Sequence, residues 1–279
     1  MRRKSIYLLG LVVILSLIMA CSLTGSGSGG EPAPTEEPAP STGGSGSGEG
    51  ESVITTEGMP VTGTGLCANA YYPVREGGTW SYQGTSTATE DYAFTNTITS
   101  TRSDGFTVSV EFDNNLTLSQ GWACTPDGIL ALDMGGGSAG TLRTDNVNLV
   151  VDTQNASGIT YPNEILPGDT WEHTLDFTGT MDISGTPAEA SGNTIYDYTA
   201  IEVESVTVPA GTFDAMKVQV VTTINIKAVF QGTEVPVTVT STATNWYAQG
   251  VGWVKTVSST DMAGITSTDT VELQSYSIP

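Results

Sequence analysis

The chain has 279 residues, with 30 Asp or Glu against nine Lys or Arg, a formal net charge of −21 at pH 7. That balance opposes binding to nucleic acid or to anionic headgroups, and the length allows one or two domains of roughly 100–200 residues each. One histidine and three cysteines are too few to suggest a metal centre, and neither a metal nor a cofactor is expected.

Arg2, Arg3 and Lys4 precede an almost wholly apolar run, Ile6 to Ala20, that ends in IMAC. A basic start, a short apolar stretch and a small residue before the cut make a secretory signal over residues 1–20. The run is shorter than the roughly 20 residues that span a bilayer. With Cys21 directly after the small residue, residues 1–21 resemble a bacterial lipoprotein signal, although Ile18 and Met19 stand where Leu and a smaller residue are usual. The resemblance implies a palmitate-type lipid on Cys21 and an extracytoplasmic chain held to the bacterial membrane by it. Ordinary cleavage near Ala20, with Cys21 unmodified, is the alternative. Three of the nine basic residues lie in the leader and all 30 acidic ones beyond it, so the mature chain has six against 30, or −24.

Residues 21–65 are dominated by Gly, Ser, Thr, Pro and Glu and include two EPAP units. Such a stretch buries too little apolar surface to offset its ordering entropy. It is expected to be a disordered tether, and about 40 residues of such coil would hold the remainder of the chain some 30–40 Å from an anchor.

Residues 66–279 read as a β-domain. YPVREGGTW from Tyr72 opens it, and GFTVSVEF then places Phe106, Val108, Val110 and Phe112 on one face. VTVPAGTF is a hairpin, with Pro209 at the first central turn position and Gly211 at the exit. MKVQVVTTINI and VPVTVTSTAT alternate in the same way. Period-two patterning broken by Gly, Asn and Asp, without an amphipathic helix, predicts an all-β antiparallel fold.

Two phrases recur. Tyr72-Pro73 leads to Trp80, and YPNEILPGDTW leads from Tyr161-Pro162 to Trp171; Gly128 follows Trp122, and Gly252 follows Trp246, each by six positions. One reading is a duplication into halves 66–156 and 157–279, with Trp80 and Trp171 starting equivalent strands, Trp122 and Trp246 starting equivalent late strands, and the VPAG hairpin an insertion in the second half. The other is generic turn punctuation, with tryptophans that anchor a core.

YPVREGGTW, VTVPAGTFDAMKV and WYAQGVGWVK together resemble a group of bacterial exported β-domains of uncharacterised function. The resemblance implies a strongly curved antiparallel sheet, similar to the half-barrels of periplasmic lipoprotein carriers, and supplies no catalytic residues. It also implies that a concave face lined by Phe106, Val108, Val110, Phe213 and Val218 would accept an apolar ligand; simple core packing of those side chains is the competing reading and the favoured one.

Little of the sequence suggests reaction chemistry. His173, the sole histidine, lies in TWEHTLDF within a predicted strand, without a nucleophile motif nearby. Cys67 and Cys124 are expected to pair, as two thiols in an exported chain usually do, and with one distant His they lack zinc-ligand spacing. Glu90, Asp91, Asp113, Asp145 and Asp197 form no calcium ladder, and GGGSAG at 135–140 has no following Lys for a phosphate cradle. The expectation is a non-catalytic binding or surface-interaction domain, with protein, glycan or apolar ligand open as partners. A glycan-directed enzyme is the remoter alternative, since paired carboxylates are a spatial feature.

Overall fold

The two-residue periodicity is realised as thirteen strands, and among the described residues there is no α-helix, only a 3-10 turn at Gly65–Cys67. The computed structural model describes residues 65–87, 90–134, 147–183, 186–230, 232–262 and 265–279, all within one compact unit, Thr55–Pro279. The signal (1–20), Cys21, nearly all of the tether (21–65) and the GGGSAG segment lie outside the described residues.

The strands are β1 (Thr79–Ser86), β2 (Tyr92–Arg102), β3 (Gly105–Phe112), β4 (Thr117–Thr125), β5 (Gly128–Ala131), β6 (Val147–Gly158), β7 (Tyr161–Pro162), β8 (Thr170–Ile183), β9 (Thr186–Val208), β10 (Gly211–Phe230), β11 (Thr233–Ala248), β12 (Gly252–Met262) and β13 (Ile265–Ser277). They form a single antiparallel sheet in the order β6-β8-β9-β10-β11-β12-β13-β1-β2-β3-β4-β5-β7. Two meanders of sequence neighbours, β1–β5 and β8–β13, are therefore joined where β13 pairs with β1.

The sheet is curved, and its register shows why. One strand carries an unpaired extra residue at Thr99 in β2, Gln154 in β6, Ile201 in β9, Val254 in β12 and Gln274 in β13. Each such bulge bends its strand and adds right-handed twist. The curl brings the ends of the sheet together at residues 158–162. There the Ile159 amide donates to Glu172 O of β8 (2.9 Å), and the next amide, Thr160, donates to Ile129 O of β5 (2.9 Å). Gly158 makes this seam feasible. Its φ is +83°, and a Cβ would fall 2.1 Å from Glu172 O, so only glycine fits.

Inward positions alternate with outward ones, as in β3, where Phe106, Val108 and Val110 are buried. The predicted hairpin is present, with Val208 paired to Gly211 across Pro209-Ala210. It is not an insertion. It joins the second and third strands of the run β8–β11, the same place as the β2–β3 turn in β1–β4. The proposed division at 156/157 falls inside β6.

Thr194 in β9 is fully buried between Leu175 and Ile224 of its neighbours, and its hydroxyl has no hydrogen-bond partner. Replacing it with the isosteric Val removes an unpaired polar atom from the interior. Thr194→Val is expected to stabilise the protein by about 1 kcal/mol, read as a higher urea midpoint; an unchanged or lower midpoint would count against an unpaired hydroxyl.

Candidate functional site

The repeated phrases meet in space. Asn69, almost wholly buried, uses its side-chain amide as a clasp. Its Nδ2 donates to Tyr161 O (3.2 Å) and Pro162 O (3.0 Å), while its Oδ1 accepts from the amides of Tyr71 (2.8 Å) and Tyr72 (3.1 Å). The two Tyr-Pro segments thus lie side by side at one end of the sheet. A disulfide between Cys67 and Cys124, Cα atoms 5.0 Å apart, fastens the approach to the end of β4.

Tyr72 is the hub. Its ring lies 5.0 Å from Tyr161, 5.2 Å from Trp122, 5.3 Å from Phe106 and 6.3 Å from Trp80, centroid to centroid. Phe106 and Trp122 stack at 5.6 Å with planes 5° apart. The opposite wall is Tyr82 stacked on Trp253 at 4.5 Å. Backbone carbonyls hold the polar tips: Trp80 Nε1 donates to Val251 O (2.7 Å), and the Tyr82 hydroxyl to Trp253 O (2.9 Å). Gly252, at φ +101°, lets its backbone lie against Pro73, whose Cδ a Cβ would meet at 3.4 Å.

Between these rings is a cavity of about 20 Å³, reached by Asn96 of β2 and Gln120 of β4 as well as the aromatics. That volume holds about one water-sized molecule. No carboxylate, histidine or cysteine lines it. Burial pushes the phenols of Tyr72, Tyr82 and Tyr161 well above their ordinary range, so they stay neutral and act as hydrogen-bonding groups only. The site can stack and hydrogen-bond; it presents no paired nucleophile and base.

Of the residues expected on a ligand face, Phe106, Val108, Val110 and Val218 are fully buried in packed core. Phe213 is half-buried at a rim against Tyr276 (6.2 Å, edge-on). His173 lies in a strand, β8, as its sequence suggests, and is buried there. Its ring stacks on Tyr196 at 5.2 Å, and Nε2 donates to Ala131 O of β5 (3.1 Å), which spans the seam. Among the described residues no group of three or more His, Cys, Asp or Glu is placed to hold a metal.

The tryptophan pairs agree only in part. Trp80 and Trp171 are each the second residue of a strand, β1 and β8, and Trp122 and Trp246 each lie three strands further on. The latter two sit late in β4 and β11, not at their starts, and it is Gly128 and Gly252 that begin the next strands. Their surroundings also differ. Trp122 is sealed in the aromatic cluster, whereas Trp246 points away from Tyr247, pairs with Lys217 and donates its indole N–H to Glu204 (2.6 Å). Nothing in the sequence singles out Asn69 or Gln120. Asn96 does carry a signal: it occupies an inward position in step with Tyr92, Phe94 and Ile98.

A family model described as DUF3108-like matches residues 94–270. No curated protein matches the chain. Among solved structures, a Bacteroides fragilis protein described as exported, with a YmcC-like fold, is 17% identical over 75% of this chain and 100% of that one, with a TM-score of 0.49. A Parabacteroides distasonis protein described as a lipoprotein is 18% identical over 76% and 99%, with a TM-score of 0.44. The hypothetical lipoprotein YmcC of Escherichia coli is 9% identical over 72% and 85%, with a TM-score of 0.33.

Proposed function

The chain belongs to the DUF3108-like family, and for this member we propose an extracytoplasmic lipoprotein, anchored through Cys21, that presents a non-catalytic domain for binding at its surface. The packed interior supports this reading best. Side chains that would line a hydrophobic tunnel instead fill it, and a cavity of about 20 Å³ is too small for an acyl chain. Large apolar side chains are displayed outside: Leu166, Ile201 and Val203 are 51%, 42% and 56% exposed. The Gly168 amide donates to Ala200 O and the Ala200 amide to Asp169 O (both 2.9 Å), which holds the Leu166 loop beside Ile201. Clustered exposed apolar groups on a strongly charged protein mark a contact surface, and a protein partner is the occupant proposed for it.

Two experiments test the two parts. Cys21→Ala should move the protein from the membrane pellet to the soluble fraction; unchanged partition into the detergent phase would refute the anchor. A photo-crosslinker at Val203 in intact cells should give a discrete protein adduct that the same group at Asn225 does not. Native mass spectrometry showing retained lipid would instead restore the carrier reading.

A further inference from the structure

Two buried polar atoms reach the aromatic end of the sheet with nothing to bond. Trp122 is 1% exposed, and its Nε1–H has no acceptor; Asn96 Oδ1 is buried, and no donor meets it. Both residues line the same cavity of about 20 Å³. Elsewhere in this cluster the polar tips are paired, as Trp80, Tyr82 and Trp253 show. Leaving a donor and an acceptor unpaired inside a folded protein is costly for each, and native structures that do so commonly hide a bound molecule.

The unmet pair specifies the chemistry. One group offers a proton and the other needs one. A cation could not accept from the indole, and an anion could not donate to the amide oxygen. A single neutral hydroxyl oxygen does both, and the volume suits one such group. We propose that this cavity is a binding site for a hydroxyl, taken either from water or from the terminal hydroxyl of a small alcohol, that bridges Trp122 Nε1 to Asn96 Oδ1. The aromatic floor would then be closed by a bound molecule, which makes the hydroxyl part of what fixes Tyr72 between its neighbours. This reading stands independently of the surface patch.

The test uses the full chain with its tryptophans labelled with nitrogen-15. The Trp122 indole resonance, identified by its absence in Trp122→Phe, should show cross-relaxation with a long-lived water. Titration with ethylene glycol separates the sources. A saturable shift of that one resonance, with loss of the water signal, assigns the site to a ligand hydroxyl; a persistent water signal with no saturation assigns it to water. Either outcome supports the proposal. An indole resonance with neither water contact nor glycol response overturns it. As a second measure, Asn96→Leu should lower the melting temperature of the wild type by several degrees and that of Trp122→Phe by clearly less, because the bridge is already cut there. Additive shifts overturn the bridge, and if Trp122→Phe does not fold, the Trp122 indole is assigned in the wild type by cross-relaxation with the rings of Phe106 and Tyr72, and that spectrum decides.

Discussion

Replacing Cys67 and Cys124 together by Ser is expected to destabilise the protein by about 4 kcal/mol. The bridge closes a loop with a sequence separation of 57, and the chain-entropy relation gives that magnitude for a loop of this length. With a urea m-value of about 2–3 kcal/mol/M, the midpoint should fall by roughly 1.5–2 M. The loss has a structural address as well. The bridge acts beside hydrogen bonds that also hold residues 67–72 over the aromatic end: the Asn69 clasp, Gly250 N–H to Ala70 O (2.8 Å) and Gln249 Nε2 to the Tyr71 hydroxyl (3.1 Å). Tyr72 should therefore become the loosest ring of the cluster, seen as faster exchange of the amides that Asn69 caps. An unchanged midpoint would mean that these hydrogen bonds order the segment without the bridge.

Acid should weaken the fold through His173. Burial of the ring lowers its pKa from the usual 6.5 to about 4, although the bond to Ala131 O pulls the other way. The unfolded chain takes up a proton near pH 6.5 and the folded chain only near 4, so in between the unfolded state binds more protons. Stability is therefore complete above about pH 6.5 and is lost as the pH falls toward 4, by about 3 kcal/mol in all. Carboxylates titrate at the low end of that window, so the measurement is a difference. The stability of wild type minus His173→Gln should shrink across pH 6.5 to 4. A difference that stays flat would show that the ring is hydrated or protonated in the fold. Because the His173 bond crosses the seam, protection of the Thr160 and Ile159 amides is expected to fall first.

Strand identity and the curved antiparallel class were legible because Val, Thr and aromatic residues at alternate positions leave few other backbone solutions. The GFTVSVEF face and the VPAG hairpin lie where the pattern put them. The seam was not legible. It depends on two successive amides turning to different strands at Ile159 and Thr160, and nothing local in GIT marks that. The burial of His173 was hidden for the same reason: it comes from β5, which meets β8 only after the sheet has curled. The recurrence of Tyr-Pro and Trp was real as punctuation, yet its main product is convergence. Both phrases feed one aromatic cluster, because Asn69 binds them to each other. The polar members of that cluster were the hardest to see, since an Asn inside a Thr-rich strand looks like any outward residue until the phase of Phe94 and Ile98 is followed through it.

The pairing of β13 with β1 also sets the order in which the molecule can be completed. Thr79 stands opposite Ser277, so the first strand acquires its second neighbour only from the last. Hairpins within β1–β5 and β8–β13 need only short loops to close, while this contact must bring together the far ends of the chain, the slower kind of event in β-rich folding. During synthesis from the N-terminus, β1 waits with one side of its backbone unsatisfied. A chain that stops before Ile265 leaves both β1 and β12 with open edges, the form in which strands recruit other chains.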